Sequence, residues 1–351
     1  MLAARPNLGN HSEPDFQSRH MGFGKVPKYK QTRVWDWARN TRLGELVRAC
    51  RSCRRELWAW ARCEQVTFPK IKQLTESMEA FGESASHISD NDNDAPIFLL
   101  STGWRAGSTL LQRILVTDSR LLLWGEPLGE MTLASKITEI VNDSLSPRNL
   151  EMWRSQDNLT SSSLATSWIA NLYPPGSDFR SALRSLFDRW LCEPAHRNGF
   201  ARWGFKEVRF GGSEAALLHW LYPHAKFVFI SRHPYECYRS LSDSGWPVYF
   251  RYPGVRVNSA ARFARYWNGL ALSWSELPEE FPCFHIKYED LISGHVDFRK
   301  LESWLGLEIQ EGVALSASVG STATRSKLSW YERLIIGREA ESGMRALGYS
   351  K

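Results

Sequence analysis

The segment Pro96 to Arg113, Pro-Ile-Phe-Leu-Leu-Ser-Thr-Gly-Trp-Arg-Ala-Gly-Ser-Thr-Leu-Leu-Gln-Arg, restricts what this 351-residue chain can fold into more than any other stretch. Ile97 to Leu100 is an apolar run that reads as a buried strand. It breaks at Thr102-Gly103, turns through Trp104-Arg105-Ala106, and restarts at Gly107-Ser108-Thr109 as a helix with Leu110, Leu111, Ile114 and Leu115 at apolar positions. Strand, glycine turn and helix start in this order suit a phosphate. Open backbone N–H groups at the helix start point at the anion, and the helix dipole favours negative charge there. The alternative is an ordinary strand-to-helix turn.

The residue types narrow the choice. A nucleotide P-loop needs Gly, four spacers, and then Gly-Lys-Ser/Thr. Here three residues separate Gly103 from Gly107, and Ser108 follows with no Lys; the cation is Arg105, inside the turn. The loop therefore reads as a phosphate site without the usual metal apparatus. A second stretch, Lys226 to Ser240, repeats the theme. Phe227 to Ile230 is another buried strand, ending in Ser231-Arg232, and Pro234 suits the first position of a helix. Ser240 lies eight residues after Arg232, about two helical turns on. A guanidinium at a strand end with a hydroxyl on the helix behind it makes a second anion site.

Two anion sites at two strand ends call for a ligand with phosphates at both ends. The chain here resembles the sulfotransferases that use 3′-phosphoadenosine 5′-phosphosulfate (PAPS). Arg105-Ala106-Gly107-Ser108-Thr109 resembles the family's 5′-phosphosulfate loop, and Arg232 with Ser240 its 3′-phosphate motif. Phe284 to Leu291, ending in Tyr-Glu-Asp-Leu, and the closing Leu347-Gly348-Tyr349 are also similar to members of the family. The resemblance covers roughly Pro96 to the C-terminus. It implies PAPS as donor, adenosine 3′,5′-bisphosphate as product, Tyr288 near the adenine, and a basic C-terminal loop closing on the 3′-phosphate, for which Thr324, Arg325 and Lys327 are the candidates. Leu110 falls where cytosolic members carry a Trp stacked on adenine, and the Arg-Lys-Gly form of the C-terminal loop is absent.

The resemblance also bears on the base. Members acting on phenols and steroids use the His of a Lys-Thr-His; the nearest match is Phe205-Lys206-Glu207-Val208, with Val208 in the place of that His. Carbohydrate and protein-tyrosine members instead use a Glu about twenty residues beyond the loop's cation. Glu126 follows the apolar run Leu121 to Leu123, lies twenty-one residues after Arg105 and precedes Pro127. It is the candidate base, with Glu130 and Glu207 as fallbacks. Lys206 is the candidate to approach the sulfuryl group.

The remaining chain supplies a frame. The expected fold is α/β, a central parallel sheet with helices on both faces and the ligand at the strands' C-terminal ends, preceded by an N-terminal helical extension. Residues 1–30 are polar; 31–95 comprise the extension, with a Trp- and Arg-bearing helical pattern over 33–81 and an acidic linker over 82–95; 96–351 form the catalytic domain. Residues 131–200 are expected to shape the acceptor pocket, and the aromatic stretch 243–257 to form a lid or an acceptor wall. A helix is expected over Ala260 to Leu277 and a last one over Trp330 to Leu347. Cys50 and Cys53 share a helix face and lack a second pair for zinc, and the Asp-Asn linker lacks the Gly and final Glu of a calcium loop, so no metal is expected. There is no signal-peptide h-region and no apolar run of membrane-spanning length, so a cytoplasmic enzyme is expected, with no membrane partner. A net charge of +6 suits an anionic cofactor. The reading is sulfuryl transfer from PAPS to a hydroxyl or amine of a small-molecule acceptor, a natural product or sugar, with no nucleic acid involved. The alternatives are a phosphoryl-transfer enzyme and a non-catalytic polyanion-binding protein. Acceptor identity and oligomeric state are not legible in the residues.

Overall fold

A computed structural model describes residues 42–62, 70–80, 95–127, 132–144, 160–166, 176–243, 250–252, 255–310, 312 and 327–350. The chain divides into two compact units, Met1–Ser52 and Cys53–Lys351. Of the first, only residues 42–52 are described, and they are helical. The second carries the sheet and the candidate site. In chain order the elements are helices α1 (Arg42–Ala61) and α2 (Ile71–Ala80), strand β1 (Ile97–Ser101), α3 (Ser108–Leu115), β2 (Leu121–Trp124), α4 (Leu133–Ser144), α5 (Ser161–Thr166) and α6 (Gly176–Phe187). After a π-helical turn at Asp188–Cys192 come α7 (Glu193–Arg197), β3 (Arg202–Glu207), α8 (Gly212–Leu221), β4 (Lys226–Ser231) and α9 (Pro234–Asp243). A short antiparallel hairpin, β5 (Phe250–Tyr252) and β6 (Val255–Val257), precedes α10 (Ala260–Ser275), β7 (Cys283–Lys287), α11 (Tyr288–Ser293), α12 (Phe298–Leu305), α13 (Trp330–Glu339) and α14 (Glu341–Ala346).

Five strands form one parallel sheet in the order β2-β3-β1-β4-β7. Alternation along β1 shows why helices must cover both faces. Phe98 and Leu100 enter an apolar cluster with Phe205, Phe227 and Phe229 and with residues of α2, α4 and α8. Ile97 and Leu99 enter another with Val228, Ile230 and Ile286 and with Leu111, Ile114 and Leu115 of α3 and Leu301 of α12. Strands buried on both faces read as continuous apolar runs, the signature of a parallel sheet. A third cluster joins α9, α10, α13 and α14. The α/β class with helices on both faces and a helical N-terminal region is thus as expected.

Two boundaries differ from the sequence reading. Trp203 to Phe210 reads as strand-like in the sequence, but β3 ends at Glu207, because the Val208 and Arg209 amides turn onto the Glu207 carboxylate, at 2.8 and 3.2 Å, and leave the ladder. The last helix breaks at Ala340. Asn268 Oδ1 on α10 captures the Gly343 amide at 2.7 Å, and a Cβ at Gly343 would meet Ala271 at 2.8 Å, so the second half folds down onto α10. Among the described residues no helix is long and apolar enough to cross a membrane.

One glycine sets the spacing of the two central strands. A Cβ at Gly204 would lie 1.8 Å from the Ile97 carbonyl oxygen across the ladder. Gly204→Ala is expected to cost about 3 kcal/mol or more, since neither backbone can yield without losing pairing. Urea unfolding measures this, and an unchanged midpoint would contradict the close approach.

Candidate functional site

The register of β1, β3 and β4 brings their C-terminal ends to one edge of the sheet, and the loops that leave there build the site. The loop after β1 reverses within six residues. It does so with Gly103, Arg105 and Gly107 at positive φ (112°, 65° and 95°). For an arginine this is a strained conformation, of the kind that persists where surrounding structure over-determines it. Thr102 N donates to the Ile230 carbonyl at 3.2 Å, pinning the loop to β4. Alternating handedness along such a loop gathers N–H groups into an anion-binding concavity. The helix α3 at the end of this loop starts on Gly107, which has no side chain to cap it; the Leu110 and Leu111 amides turn back to the Gly107 carbonyl at 3.0 and 3.1 Å, and the amides ahead of them, at Ser108 and Thr109, have no acceptor within the helix. Ala106 and Ser108 are buried, Thr109 is exposed, and Leu110 is half-buried against the same apolar cluster as Tyr288.

The second anion motif lands on the first. Arg232, at the end of β4, donates from Nη1 to the Arg105 carbonyl at 2.9 Å. Arg105 Nε donates to Ser240 Oγ on α9 at 3.0 Å. Tyr288, opening α11 after β7, covers Gly107 so closely that a Cβ there would lie 2.2 Å from its ring. The Arg232 guanidinium sits 4.1 Å from the centre of the same ring. Arg232 is buried, and its Nε has no hydrogen-bond partner among the described residues. An orphaned buried guanidinium N–H beside an uncapped helix start fits an anionic ligand that would complete it. Arg105, Gly107, Arg232, Ser240 and Tyr288 are therefore brought together. Thr324 and Arg325 lie outside the described residues; Lys327 is exposed ahead of α13.

A charged cluster lies at the ends of β2 and β3. Glu126 follows β2 by two residues. Its Oε1 accepts from Lys206 Nζ at 2.5 Å and its Oε2 from Arg209 Nη1 at 3.0 Å. Lys206 is almost fully buried, and its backbone amide reaches the Gly125 carbonyl at 3.2 Å, extending the ladder to the loop that carries Glu126. Arg209 also donates to Glu207 Oε1 at 3.0 Å. Glu207 is completely buried, which pushes its carboxyl up to about 7; the Arg209 charge opposes the shift and Glu126 adds to it. Its Oε2 has no partner among the described residues. Glu207 is thus not reachable as a base for a bound acceptor, which corrects its standing as a fallback; it supports Arg209 from beneath. Glu130 lies outside the described residues.

Sequence reasoning missed two contributors. Arg209 stands 5.6 Å from the Trp104 ring centre, and Trp104 stacks on Tyr266 at 4.7 Å. This ties the β1 loop to the β3 end. Nothing in the sequence near Arg209 separates it from a solvated arginine. The second is the C-terminal latch. Tyr349 OH bonds Ser231 Oγ at 2.9 Å and donates to Glu289 Oε2 at 3.1 Å, while Glu289 Oε1 accepts from the His233 amide at 3.0 Å. The latch braces the strand ends that present Arg232 and Tyr288. The Leu347-Gly348-Tyr349 ending was the available signal.

Beside Glu126 opens a cavity of about 390 Å³, lined by Trp124, Gly125, Glu126, Pro127, Trp190 and Leu191. Of the expected acceptor region 131–200, the π-helical turn supplies the last two. The side chains of the aromatic stretch 244–256 lie outside the described residues. Among the described residues no group of three or more His, Cys, Asp or Glu could hold a metal ion.

Among known protein families, the profile of the sulfotransferase family matches residues 96–311. Among solved structures the chain is similar to the sulfotransferase domain of the curacin biosynthetic pathway (18% identity, 73% of this chain and 98% of that one, TM-score 0.39). It is also similar to a sulfotransferase from Alicyclobacillus acidocaldarius (14%, 73% and 97%, TM-score 0.38) and to one from Mycobacterium avium (15%, 79% and 81%, TM-score 0.34). Curated protein sequences gave no significant match.

The environment of Glu207 has a measurable consequence. The folded chain holds its proton up to about pH 7, against 4.5 for the exposed group. Its contribution to stability is therefore full below pH 4.5, declines as pH rises through 7, and is gone above. Glu207→Gln removes the titration. The stability of the variant relative to the parent is expected to rise by about 1–3 kcal/mol between pH 5 and pH 8. Denaturant unfolding at the two pH values reads the difference; a constant gap would mean that Glu207 ionises as an exposed carboxylate does.

Proposed function

Because the chain belongs to the sulfotransferase family, we propose that it transfers a sulfuryl group from PAPS to a hydroxyl or amine of a small-molecule acceptor. The observation that carries this reading is the meeting of the two anion motifs, Arg105 with Ser240 and Arg232 with the Arg105 carbonyl, at the sheet edge that also holds the Glu126–Lys206 pair. Arg105 and the amides at the start of α3 would hold the 5′ end of the donor, and Arg232 and Ser240 its 3′-phosphate. Tyr288 would border the nucleotide.

The donor supplies an activated sulfur–oxygen bond. The acceptor oxygen or nitrogen attacks in line, its bond to sulfur forming as the bond to the 5′-phosphate oxygen breaks. The acceptor proton goes to Glu126, whose oxygens keep lone pairs beyond those used by Lys206 and Arg209. Lys206, within 2.5 Å of the Glu126 carboxylate, stabilises charge on the transferring oxygens. Arg105 and the loop amides do the same for the leaving phosphate. These groups are preorganised, so little reorganisation is needed at the moment of transfer.

Two experiments test the assignment. Adenosine 3′,5′-bisphosphate is expected to raise the melting temperature where Mg-ATP and AMP do not, since a ligand at a hundred times its Kd adds about 2.7 kcal/mol. Arg232→Ala should abolish most of that shift. A shift with Mg-ATP alone would favour phosphoryl transfer, and none with any nucleotide would favour a polyanion-binding protein. Separately, Glu126→Gln should keep the nucleotide shift and lose about 10²–10⁴ in PAPS-dependent turnover. Undiminished turnover would remove Glu126 as the base.

A further inference from the structure

We infer that the chain carries a second anion site, away from the sheet edge, between the end of α1 and the start of α10, which takes a compact tetrahedral oxyanion: phosphate or sulfate, free or as the terminal group of a small ester. The inference goes beyond the sulfotransferase reading and does not rest on it. A cavity of about 280 Å³ opens there. Its lining takes Arg55 and Trp58 from α1, Arg62 from just past the end of that helix, and Asn258 and Arg262 from the start of α10. None of these residues takes part in the contacts that join Arg105, Arg232, Ser240 and Tyr288. The volume falls just under the range of small-ligand pockets, about 300 to 1,000 Å³, which suits a compact charged group better than a whole nucleotide.

Three guanidinium groups border this one cavity. Arg55 and Arg62 lie about two helical turns apart and so fall on one side of α1; Arg262 comes from the other wall. Like charges gathered in this way repel one another. Among the described lining residues one carboxylate, Glu56, stands against them. It is only 2% exposed and already engaged: its Oε2 accepts from the Ala260 amide at 2.9 Å, and its Oε1 lies 3.7 Å from Arg55 Nη2. Ser259 Oγ accepts from the Arg262 amide at 3.2 Å, so the start of α10 is capped from within the chain. The site therefore rests on side-chain cations and not on a helix end. A doubly charged oxyanion offsets the repulsion and accepts several N–H bonds at once, the arrangement in which guanidinium forks bind most strongly.

The cations are also held in place. The Arg62 guanidinium lies 3.5 Å from the centre of the Trp58 ring, and an arginine seated over an indole keeps its N–H edges for an acceptor. Trp58 is itself 58% exposed, an unusual position for so large an apolar ring; here it serves as the seat of Arg62. Arg262 Nη1 donates to Asn258 Oδ1 at 2.9 Å. An arginine has five N–H donors, so this bond orients the fork without exhausting it. The two walls keep their spacing through the Glu56–Ala260 bond and through Glu339 on α13. Glu339 Oε1 accepts from Trp60 Nε1 of α1 and its Oε2 from Arg265 Nε of α10, both at 2.6 Å.

The test is equilibrium dialysis of labelled inorganic sulfate, and in parallel of glucose 6-sulfate and glucose 6-phosphate, against the full-length protein. Ionic strength is held constant so that screening is the same throughout, and saturating adenosine 3′,5′-bisphosphate occupies the sheet edge. The expected result is one oxyanion bound per chain beside the nucleotide. The double variant Arg62→Gln, Arg262→Gln should weaken it about tenfold or more, with the nucleotide melting shift unchanged. Tighter binding of an ester than of the free ion identifies a terminal group as the preferred form, and the reverse identifies the free ion. No bound oxyanion in the parent, or equal binding in parent and variant, overturns the inference. So does a nucleotide shift lost in the double variant, which would put these arginines in the nucleotide site. Arg62 is exposed and Arg262 half-buried, so the variant is expected to fold. Should it not, Arg62→Lys keeps the charge, loses the fork and should weaken binding about threefold or more; unchanged binding there is equally fatal. Absence of the nucleotide shift in the parent sinks the sulfotransferase reading, and the comparison of parent with variant still decides the anion site.

Discussion

The site depends on strands that run parallel while buried on both faces. β1, β3 and β4 each pair with a neighbour on both sides and bury nearly all their side chains. They have no room to slip, because a shift of one residue would exchange the two apolar clusters on opposite faces. Parallel register then puts all their C-terminal ends at one edge. Arg232, Lys206 and the loop carrying Arg105 meet there as a consequence of the sheet's own packing.

Around that edge the molecule concentrates groups that elsewhere would be destabilising. Arg105 adopts a left-handed backbone conformation. Arg232 Nε and Glu207 Oε2 are buried without partners among the described residues. Lys206 is nearly inaccessible. Each of these is costly in a folded chain. The Tyr349 latch, the Trp104–Tyr266 stack and the contact of Tyr288 with Gly107 hold the loops in place from three directions. The guanidinium groups of Arg105 and Arg232 are thus held in place by contacts within the folded chain.

Much of the edge was legible in the residues because local chemistry specifies it. Gly103 and Gly107 are needed where φ is positive, Pro234 opens α9, and Ser240 lies on that helix, behind the strand end that carries Arg232. Arg209 and Glu207 were not legible in their actual roles. The sequence makes them neighbours of Lys206, but only the turn at Val208 sends one carboxylate inward under the guanidinium. The break at Ala340 was likewise hidden, since its cause is Asn268, distant in sequence.

The sequence by itself determined the α/β class, the two anion motifs and the candidate carboxylate, because periodicity, glycine placement and motif spacing are local properties of the chain. Tertiary structure alone decided that Arg105 and Ser240 touch, that Tyr288 lies on Gly107, that Lys206 and Arg209 both hold Glu126, and that Trp124 and Trp190 border one cavity. Those pairs join segments tens to more than a hundred residues apart. Their contact follows from strand order and from which helix covers which face, and neither is encoded in any one stretch.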